Sequence, residues 1–306
     1  MIDISNGRYW DLPWSLVSGC TPCSPGCDHC WSAAIEHRVG AKIIEGVVGA
    51  GDWDTLNGCI MRIPSPLTNG DRKFNGEIIT HPERLSIPLK RRKPTVYSIW
   101  NDWAHENATH HFRSLIVKVA RECPRHTILA LTKRPAVALD FWNRYEQDEP
   151  PDNWWHGLTI CNQAEADEKI PIFLKVPGKK FLSIEPMLSE MNIRRYLEDD
   201  CDCGLCNLCH GKPSDRRMIA AVILGGETGP GARPLHPDWV RSIKDQCAVA
   251  GVPFFFKQWG EAIHTSNPLL DAIYPHRDGG DAVYRVRKAG RLLDGRTHDD
   301  LPWRAE

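Results

Sequence analysis

The sequence has no long apolar run. Its longest strongly apolar stretch, Met218–Leu224, is far shorter than the roughly 20 residues that a membrane-spanning helix needs. The first residues, MIDISNGRYWDLPW, lack the basic region followed by an apolar core that marks a secretory signal. These two absences predict a cytoplasmic protein with no membrane partner.

The sequence also lacks an excess of charge of either sign. Its formal net charge is −1, so no overall field attracts nucleic acid or an anionic membrane. The 306 residues are 42% hydrophobic and 25% charged, which is the composition of an ordinary globular chain. Fibrous and disordered classes are therefore excluded.

Six short, continuous apolar runs, rich in β-branched and aromatic residues, have the pattern of buried parallel strands. The runs are Thr95–Trp100, Thr127–Leu131, Trp155–Ile160, Lys180–Ile184, Ile219–Leu224 and Pro253–Phe256, with a seventh near Trp14–Ser18. Helical patterns separate them, most clearly at His110–Glu122 and at Pro237–Ala250, where Gly251 ends the helix.

Alternating strands and helices predict an α/β fold with a parallel sheet and right-handed crossovers. We expect a full or partial (β/α) TIM-like barrel, with a doubly wound sheet as the alternative. The barrel is expected to form a single domain over residues 1–306. Residues 195–217 would be a small Cys-rich metal-binding insertion, and residues 262–306 a C-terminal extension.

Polar residues follow directly after the predicted strands. In a barrel such positions meet at the carboxyl-terminal mouth, where active sites form, although a strand end that merely reaches solvent is polar too. The residues are Asn101, Asp102, Thr132, Lys133, Arg134, Cys161, Asn162, Gln163, Glu185, Gly225, Gly226, Glu227, Lys257 and Gln258. The repetition over six strands favours a shared site.

Among these residues we expect Glu185, Lys133 and Lys257 to be catalytic. A carboxylate can act as a base or bind a ribose hydroxyl, and the two lysines can hold anionic substrate groups. The expected cofactor-binding residues are Asn101, Asp102, Arg134, Gly225, Gly226 and Glu227. The alternatives are surface salt bridges for the charged residues, a helix cap for Asp102 and a tight turn for the glycines.

Twelve cysteines are many for a chain with no export signal, and eight of them form two tight clusters. In a reducing compartment, clustered cysteines indicate metal sites. The first cluster, GCTPCSPGCDHCW at residues 19–31, contains Cys20, Cys23, Cys27 and Cys30. Four thiolates can close a structural zinc site. However, the spacing Cys23-x3-Cys27-x2-Cys30 is typical of the three-cysteine [4Fe–4S] site of radical SAM enzymes, whose open fourth iron binds S-adenosylmethionine (SAM).

The chain resembles a phage- and mobile-element-associated three-cysteine-motif family related to radical SAM enzymes. The resemblance extends nearly end to end. It depends on SGCTPCSPGCDHCW, on LTKRP at 131–135, on SIEPML at 183–188, on VILGGETGPGARPLHPDWVRSIKDQC at 222–247, on PFFFKQWGE at 253–261 and on AGRLLDGRTHDDLP near the C-terminus. The family's cysteine trio falls on Cys20, Cys27 and Cys30, and position 23 is usually not cysteine in it.

The resemblance thus favours Cys20 as the third cluster ligand, whereas the general radical SAM spacing favours Cys23. It also implies SAM as a cofactor and an electron donor such as flavodoxin or ferredoxin. Some radical SAM relatives act on bases in DNA, so a nucleobase in phage DNA is the suggested substrate, for modification, rearrangement or repair. Gly225-Gly226-Glu227 resembles the sequence that binds the SAM amino group, but it lies on a later strand than in those enzymes.

The second cluster, CDCGLCNLCH at residues 201–210, contains Cys201, Cys203, Cys206 and Cys209. Zinc bound by four thiolates is the simplest occupant, and an auxiliary iron–sulfur cluster is the alternative. Two other functions stay open for the whole chain. One is a non-catalytic nucleic-acid-binding protein with zinc at both clusters, and the other is a barrel enzyme that uses zinc hydrolytically.

Overall fold

The computed structural model describes residues 4–36, 68, 73–145, 149–198, 219–264, 267, 283–286 and 289–304. Eleven strands belong to this part of the chain. They are β1 (Leu12–Trp14), β2 (Val17–Gly19), β3 (Ile78–Thr80), β4 (Val96–Ile99), β5 (Thr127–Thr132), β6 (Trp154–Thr159), β7 (Lys179–Ile184), β8 (Val222–Gly225), β9 (Phe254–Gln258), β10 (Ala262–His264) and β11 (Val283–Arg285).

Six α-helices accompany the strands in the described residues. They are α1 (residues 31–36), α2 (Ile87–Lys90), α3 (His110–Glu122), α4 (Pro135–Asn143), α5 (Gln163–Phe173) and α6 (Pro237–Ala250). Helix α3 begins at a Thr109 cap whose hydroxyl accepts from Phe112 N, and α6 ends at Gly251, which has a φ of 65°. The predicted bounds of these two helices are confirmed.

The main sheet has seven parallel strands in the order β1-β4-β5-β6-β7-β8-β9. Helices α3, α4, α5 and α6 lie in sequence between successive strands, so the sheet is wound in one direction and curls into a half-barrel. The prediction of an α/β fold with a partial barrel is confirmed. In the described residues the sheet does not close into a full barrel, because β1 and β9 are edge strands.

Alternating side chains of the strands form two apolar layers. On the outer face, residues such as Trp154, Leu158 and Phe256 pack against the helices. On the inner face, Trp155 and Phe255 belong to a smaller cluster in the amino-terminal half of the half-barrel. This inner cluster closes one end of the half-barrel and leaves the carboxyl ends of the strands open for a site.

Gly157 of β6 lies where the inner side chains are most crowded. A Cβ atom at this position would lie 2.4 Å from Phe181 Cζ and 2.9 Å from Leu131 Cγ. We expect Gly157→Ala to lower the free energy of unfolding by about 1–3 kcal/mol, because overpacking forces neighbouring side chains out of their rotamers. Urea unfolding measures this change in the free energy of unfolding. Lys118→Ala on the exposed face of α3 is the control, and equal midpoints for the two variants would contradict the expectation.

The two chain ends meet at the open edge of the half-barrel. Gly7 lies against the backbone of β9, where a Cβ would be 2.2 Å from the Lys257 carbonyl oxygen. From the C-terminal segment, Trp303 Nε1 donates to the Tyr9 carbonyl at 3.1 Å, and Arg304 pairs with Asp11 at 2.8 Å. Within the predicted extension, β10 and β11 form an antiparallel pair. The ends therefore fill the gap between β9 and β1.

Two sequence predictions concern residues outside this description. The second cysteine cluster, with Cys201, Cys203, Cys206 and Cys209, lies outside the described residues, as does most of the predicted insertion at 195–217.

Among the described helices, none is both long and apolar enough to cross a bilayer.

Candidate functional site

A cavity of about 1540 Å³ opens at the carboxyl ends of the strands. This volume exceeds the 300–1,000 Å³ typical of a pocket for one small ligand. It brings together eleven of the residues predicted from the sequence: Cys20, Cys23, Cys27, Cys30, Asn101, Asp102, Thr132, Lys133, Arg134, Glu185 and Lys257. Gly225, Gly226 and Glu227 do not line it, although the following residues 228–230 do.

The first cysteine cluster lies on a loop between β2 and α1. The loop begins at Gly19, whose φ of 81° and close approach to the Glu77 carbonyl, 2.1 Å from an added Cβ, require glycine. A short turn at Pro25–Cys27 follows, and Ser24 Oγ caps it by accepting from Gly26 N at 3.1 Å. We call residues 20–30 the cysteine loop.

Arg134 fastens the first half of the cysteine loop to the sheet. Its Nη2 donates to the Thr21 carbonyl at 2.6 Å, and its Nη1 lies 3.7 Å from Cys20 Sγ. The same guanidinium is held by Asp102 at 2.7 Å and by both oxygens of Glu106. With so many partners, Arg134 acts as a buried clamp and not as an open anion site.

Asp102 is only 6% exposed and accepts four hydrogen bonds from the chain itself. The donors are Ala104 N, Thr132 Oγ1, Lys133 N and Arg134 Nη1. The carboxylate that was expected to bind cofactor is therefore engaged in holding Arg134 and the end of β5. Its place in the wall of the cavity is consistent with positioning the loop.

A second arginine, Arg233, fastens the other half of the cysteine loop. It donates from Nη2 to the Pro25 carbonyl at 2.8 Å and from Nη1 to Asp28 at 3.3 Å. Glu227 holds this guanidinium through both carboxylate oxygens, at 2.7 and 2.9 Å. Sequence reasoning missed Arg233, since nothing in its local context marks it.

Glu227 is the counterpart of Asp102 on the opposite side of the loop. Besides Arg233, it accepts from His29 Nδ1 at 3.1 Å. Burial would raise the pKa of Glu227, but the hydrogen bonds from Arg233 and His29 hold it below its ordinary value. His29 of the cysteine loop is thus part of this hydrogen-bond network.

The two glycines before Glu227 have different surroundings. At Gly226 an added Cβ would lie 2.0 Å from the Trp259 carbonyl oxygen, so only glycine allows β8 and the end of β9 to approach. At Gly225 the nearest atoms are at ordinary contact distances, 3.4 Å from Lys257 Cβ and 3.5 Å from Glu185 Cγ. Gly226 is therefore needed for packing, whereas Gly225 lies next to the cavity residues Glu185 and Lys257.

The cysteine thiols have distinct environments. A hydrogen bond from Cys23 lowers the pKa of Cys27 to about 6 against the opposing effect of burial, with help from the charge of Lys133. Burial and the charge of Asp102 raise the pKa of Cys20 to about 11, although Arg134 opposes them. The bond to Cys27 raises the pKa of Cys23. Cys27 is the thiol that ionises most readily in the loop.

Cys30 precedes the first turn of α1. Burial raises the pKa of this thiol, while the backbone N–H groups of Ala33 and Ser32 lower it. Those groups belong to the first turn of the helix, whose N-terminus favours negative charge. Asn101, with a φ of 60°, secures this turn: it accepts from Ser32 and donates to the Val17 carbonyl at 2.8 Å.

Within the described ranges, no three His, Cys, Asp or Glu side chains converge on one point as ligands of a single metal ion. The four cysteines of the cysteine loop all line the same cavity.

Glu185 and Lys257 form an ion pair on the floor of the cavity. Lys257 Nζ lies 2.5 Å from Glu185 Oε2 and 5.9 Å from the centre of the Tyr9 ring. The other carboxylate oxygen, Glu185 Oε1, is buried without a hydrogen-bond partner. Burial and the charge of Glu185 raise the pKa of Tyr9, which stays a neutral hydroxyl. Glu185 Oε1 is therefore a hydrogen-bond acceptor that a ligand in the cavity could use.

Three further residues after predicted strands serve the scaffold. Cys161 Sγ donates to Glu165 at 3.0 Å, and Asn162 caps α5 by accepting from Glu165 N at 2.9 Å. Gln163 donates to Asp167 on the helix surface at 3.0 Å. Polarity at a strand end therefore does not by itself identify a residue that lines the cavity.

One protein-family model matches the chain, over residues 5–302, and its description is "Protein of unknown function (DUF5131)". No curated protein and no solved structure matches the chain.

Proposed function

Since the chain belongs to the DUF5131 family, whose function is unknown, we propose from its site that it is a radical SAM-like iron–sulfur enzyme. The observation that carries the proposal is the position of the cysteine loop. It follows an early strand and faces a large cavity at the carboxyl ends of a partial (β/α) barrel. This is the place where barrel enzymes bind substrates and cofactors.

The donor set of the loop fits an iron–sulfur cluster. Thiolates are the ligands of such clusters, and Cys27 is the loop thiol whose pKa is lowered, to about 6. In a cluster each thiolate binds a different iron, so the ligands need to face one cavity and do not need to converge on one ion. When bound, a reduced [4Fe–4S] cluster with an open iron supplies the electron that splits SAM into methionine and a 5′-deoxyadenosyl radical.

We assign the three ligands to Cys20, Cys27 and Cys30, with Cys23 as the alternate third ligand. Arg134 lies beside Cys20 and offsets the negative charge of a thiolate there. Cys23 is the most exposed of the four, and its thiol is engaged with Cys27. The two arginine clamps would keep the loop in place whether or not a cluster is bound.

The remaining cavity residues have complementary roles toward SAM. Glu185 Oε1, buried and unpartnered, is an acceptor for a ribose hydroxyl or an amino group, and the hydrogen bond from Lys257 to the other oxygen orients this side chain. Lys133 has no carboxylate partner among the described residues and is a cation available to an anionic group. Arg134, Asp102 and Glu227 position the loop.

Other parts of the proposal concern the rest of the chain. We expect zinc at the second cysteine cluster, Cys201, Cys203, Cys206 and Cys209, and an external electron donor such as flavodoxin or ferredoxin. The setting proposed from the sequence is cytoplasmic and phage-associated, and the radical would abstract hydrogen from an unactivated carbon of the substrate.

The test is reductive cleavage of SAM by the anaerobically reconstituted full chain. With dithionite as the electron source, 5′-deoxyadenosine should form, and its absence from iron-loaded protein would contradict the proposal. Glu185→Gln should raise KM for SAM about 10- to 150-fold, since a hydrogen bond to a charged group contributes about 1.5–3 kcal/mol. Glu168→Gln, on the exposed face of α5, is the control and should leave KM unchanged.

A further inference from the structure

Three tryptophans form a continuous aromatic wall on one side of the cavity. Trp100 follows β4 and meets Trp10 edge-to-face, with ring centres 5.8 Å apart and an interplanar angle of 86°. It meets Trp31 in the same way at 5.3 Å and 82°. All three rings line the cavity. We call Trp10, Trp100 and Trp31 the tryptophan wall.

Trp31 is the outermost member of the wall. It is 47% exposed, and it is the only tryptophan among the exposed large apolar side chains of the described residues. It is the first residue of α1 and directly follows Cys30. Its edge contact with Trp100 leaves about half of the residue exposed. An exposed indole that lines a cavity is a platform on which a flat ring can stack.

Two cations that line the same cavity as the tryptophan wall have no carboxylate partner among the described residues. The guanidinium of Arg8 stacks over Trp10 at 4.8 Å, and Lys133 faces the cavity from the end of β5. In the described part of the chain, neither has an ion-pair partner. Of the carboxylates that line the same cavity, Asp28 pairs with Arg233, Asp102 with Arg134 and Glu185 with Lys257, while Glu261 accepts a hydrogen bond from Gly229 N at 3.1 Å. Arg8 and Lys133 against this one carboxylate leave a net positive charge for a ligand.

We propose that the tryptophan wall, with Lys133 and Arg8, binds an unpaired nucleobase of a single-stranded nucleic acid. This inference rests on the proposed function and names its substrate class. The base stacks on Trp31, and its neighbouring phosphates lie near the two cations. In a duplex the faces of a base are covered by its neighbours, so only a single strand or an extruded base offers a free face.

The overall charge of the chain agrees with a local contact of this kind. A net charge of −1 supplies no field that would hold a long duplex along the surface. The basic run Lys90–Lys93 does not contribute, because it precedes β4 and so lies at the opposite end of the sheet from the cavity. Recognition would depend on stacking and on a few phosphates within the site.

The test is fluorescence anisotropy of labelled 10-mer oligonucleotides with the full-length reconstituted chain. Single-stranded DNA, single-stranded RNA and duplex DNA of the same sequence are compared. Both single strands offer unpaired bases and neighbouring phosphates. Their relative affinities show whether DNA or RNA is the preferred ligand. We expect the preferred single strand to bind at least tenfold more tightly than the duplex.

Trp31→Leu should weaken single-strand binding about 5- to 150-fold, the range for loss of one stacked base, and Trp31→Phe should restore most of it. Lys133→Ala should lower the salt dependence of log K by about 0.7, as expected for one phosphate contact, whereas Lys118→Ala on the outer face of α3 should not. Iron content is measured in every variant, since Trp31 adjoins Cys30.

Wild-type binding by Trp31→Leu, or no binding of either single strand at low salt, would overturn the inference. So would loss of the response to SAM in Trp31→Leu with unchanged oligonucleotide binding, because the indole would then stack on the adenine of SAM. The binding assay needs neither reductant nor SAM. If the chain binds single strands through Trp31 but cleaves no SAM, the proposed function fails and this inference stands.

Discussion

Replacing Cys27 with alanine is expected to reduce both iron content and SAM cleavage to background while the chain stays folded. Cys27 lies on the cysteine loop, and its side chain is not part of either apolar layer. Loss of a cluster ligand should therefore exceed the roughly 10- to 100-fold cost of losing a residue that only orients a metal ligand. The free energy of unfolding should change by less than about 1 kcal/mol. Iron analysis, product assay and urea unfolding measure the three quantities.

The other cysteines of the loop are expected to differ in how far their replacement reduces iron content and SAM cleavage. Cys20→Ala and Cys30→Ala should behave like Cys27→Ala, whereas Cys23→Ala should retain iron and activity. Cys247→Ala is the control, because this thiol is buried on α6, where burial raises its pKa to about 12. It should keep iron even if stability falls. Unfolding of the N-terminal segment in Cys27→Ala, with zinc lost and no iron in the parent, would contradict the assignment and indicate structural zinc.

Replacing Arg134 with alanine is expected to lower the free energy of unfolding by about 3–5 kcal/mol. The substitution leaves the buried carboxylate of Asp102 without its counter-ion, and an uncompensated buried charge costs about this much. It also removes the bond to the Thr21 carbonyl, so the first half of the cysteine loop loses its attachment. Iron incorporation should fall together with stability.

A double-mutant cycle separates the ion pair from the loss of side-chain volume. Asp102→Ala combined with Arg134→Ala should be less destabilised than the sum of the two single variants, by more than about 0.5 kcal/mol. Arg194→Ala is the surface control: its pair with Glu198 is exposed, and its loss should cost no more than about 1 kcal/mol. Additive single effects in the cycle would contradict a coupled buried clamp.

Much of the fold could be predicted from the sequence because its signals are local. The run TVYSIW predicted β4, and the spacing of apolar residues in His110–Glu122 gave the bounds of α3. The region near Trp14–Ser18 was harder. One predicted strand is in fact two, because β1 pairs with β4 whereas β2 pairs with β3 in a separate sheet. The division into two strands depends on β3 and β4, which are distant in sequence from this region.

The sequence indicated several residues that line the candidate site, but it did not indicate which of them form ion pairs and hydrogen bonds with one another. The barrel geometry brings Lys133, Glu185 and Lys257 to one cavity, as the polar strand ends indicated. That Asp102 and Glu227 each hold an arginine that binds the cysteine loop could not be inferred, because Arg134 and Arg233 are far in sequence from the loop carbonyls to which they donate. Arg233 in particular follows Asp28 by more than half the chain and gave no signal.

The central claim is that the cysteine loop holds a [4Fe–4S] cluster with an open iron that binds SAM. The most direct measurement is electron paramagnetic resonance of the reduced, anaerobically reconstituted chain with and without SAM, together with iron, sulfide and zinc analysis. We expect about four iron and four sulfide ions per chain beyond any zinc, and a reduced-cluster signal that shifts when SAM is added. Zinc without iron, and no spectral response to SAM, would contradict the claim.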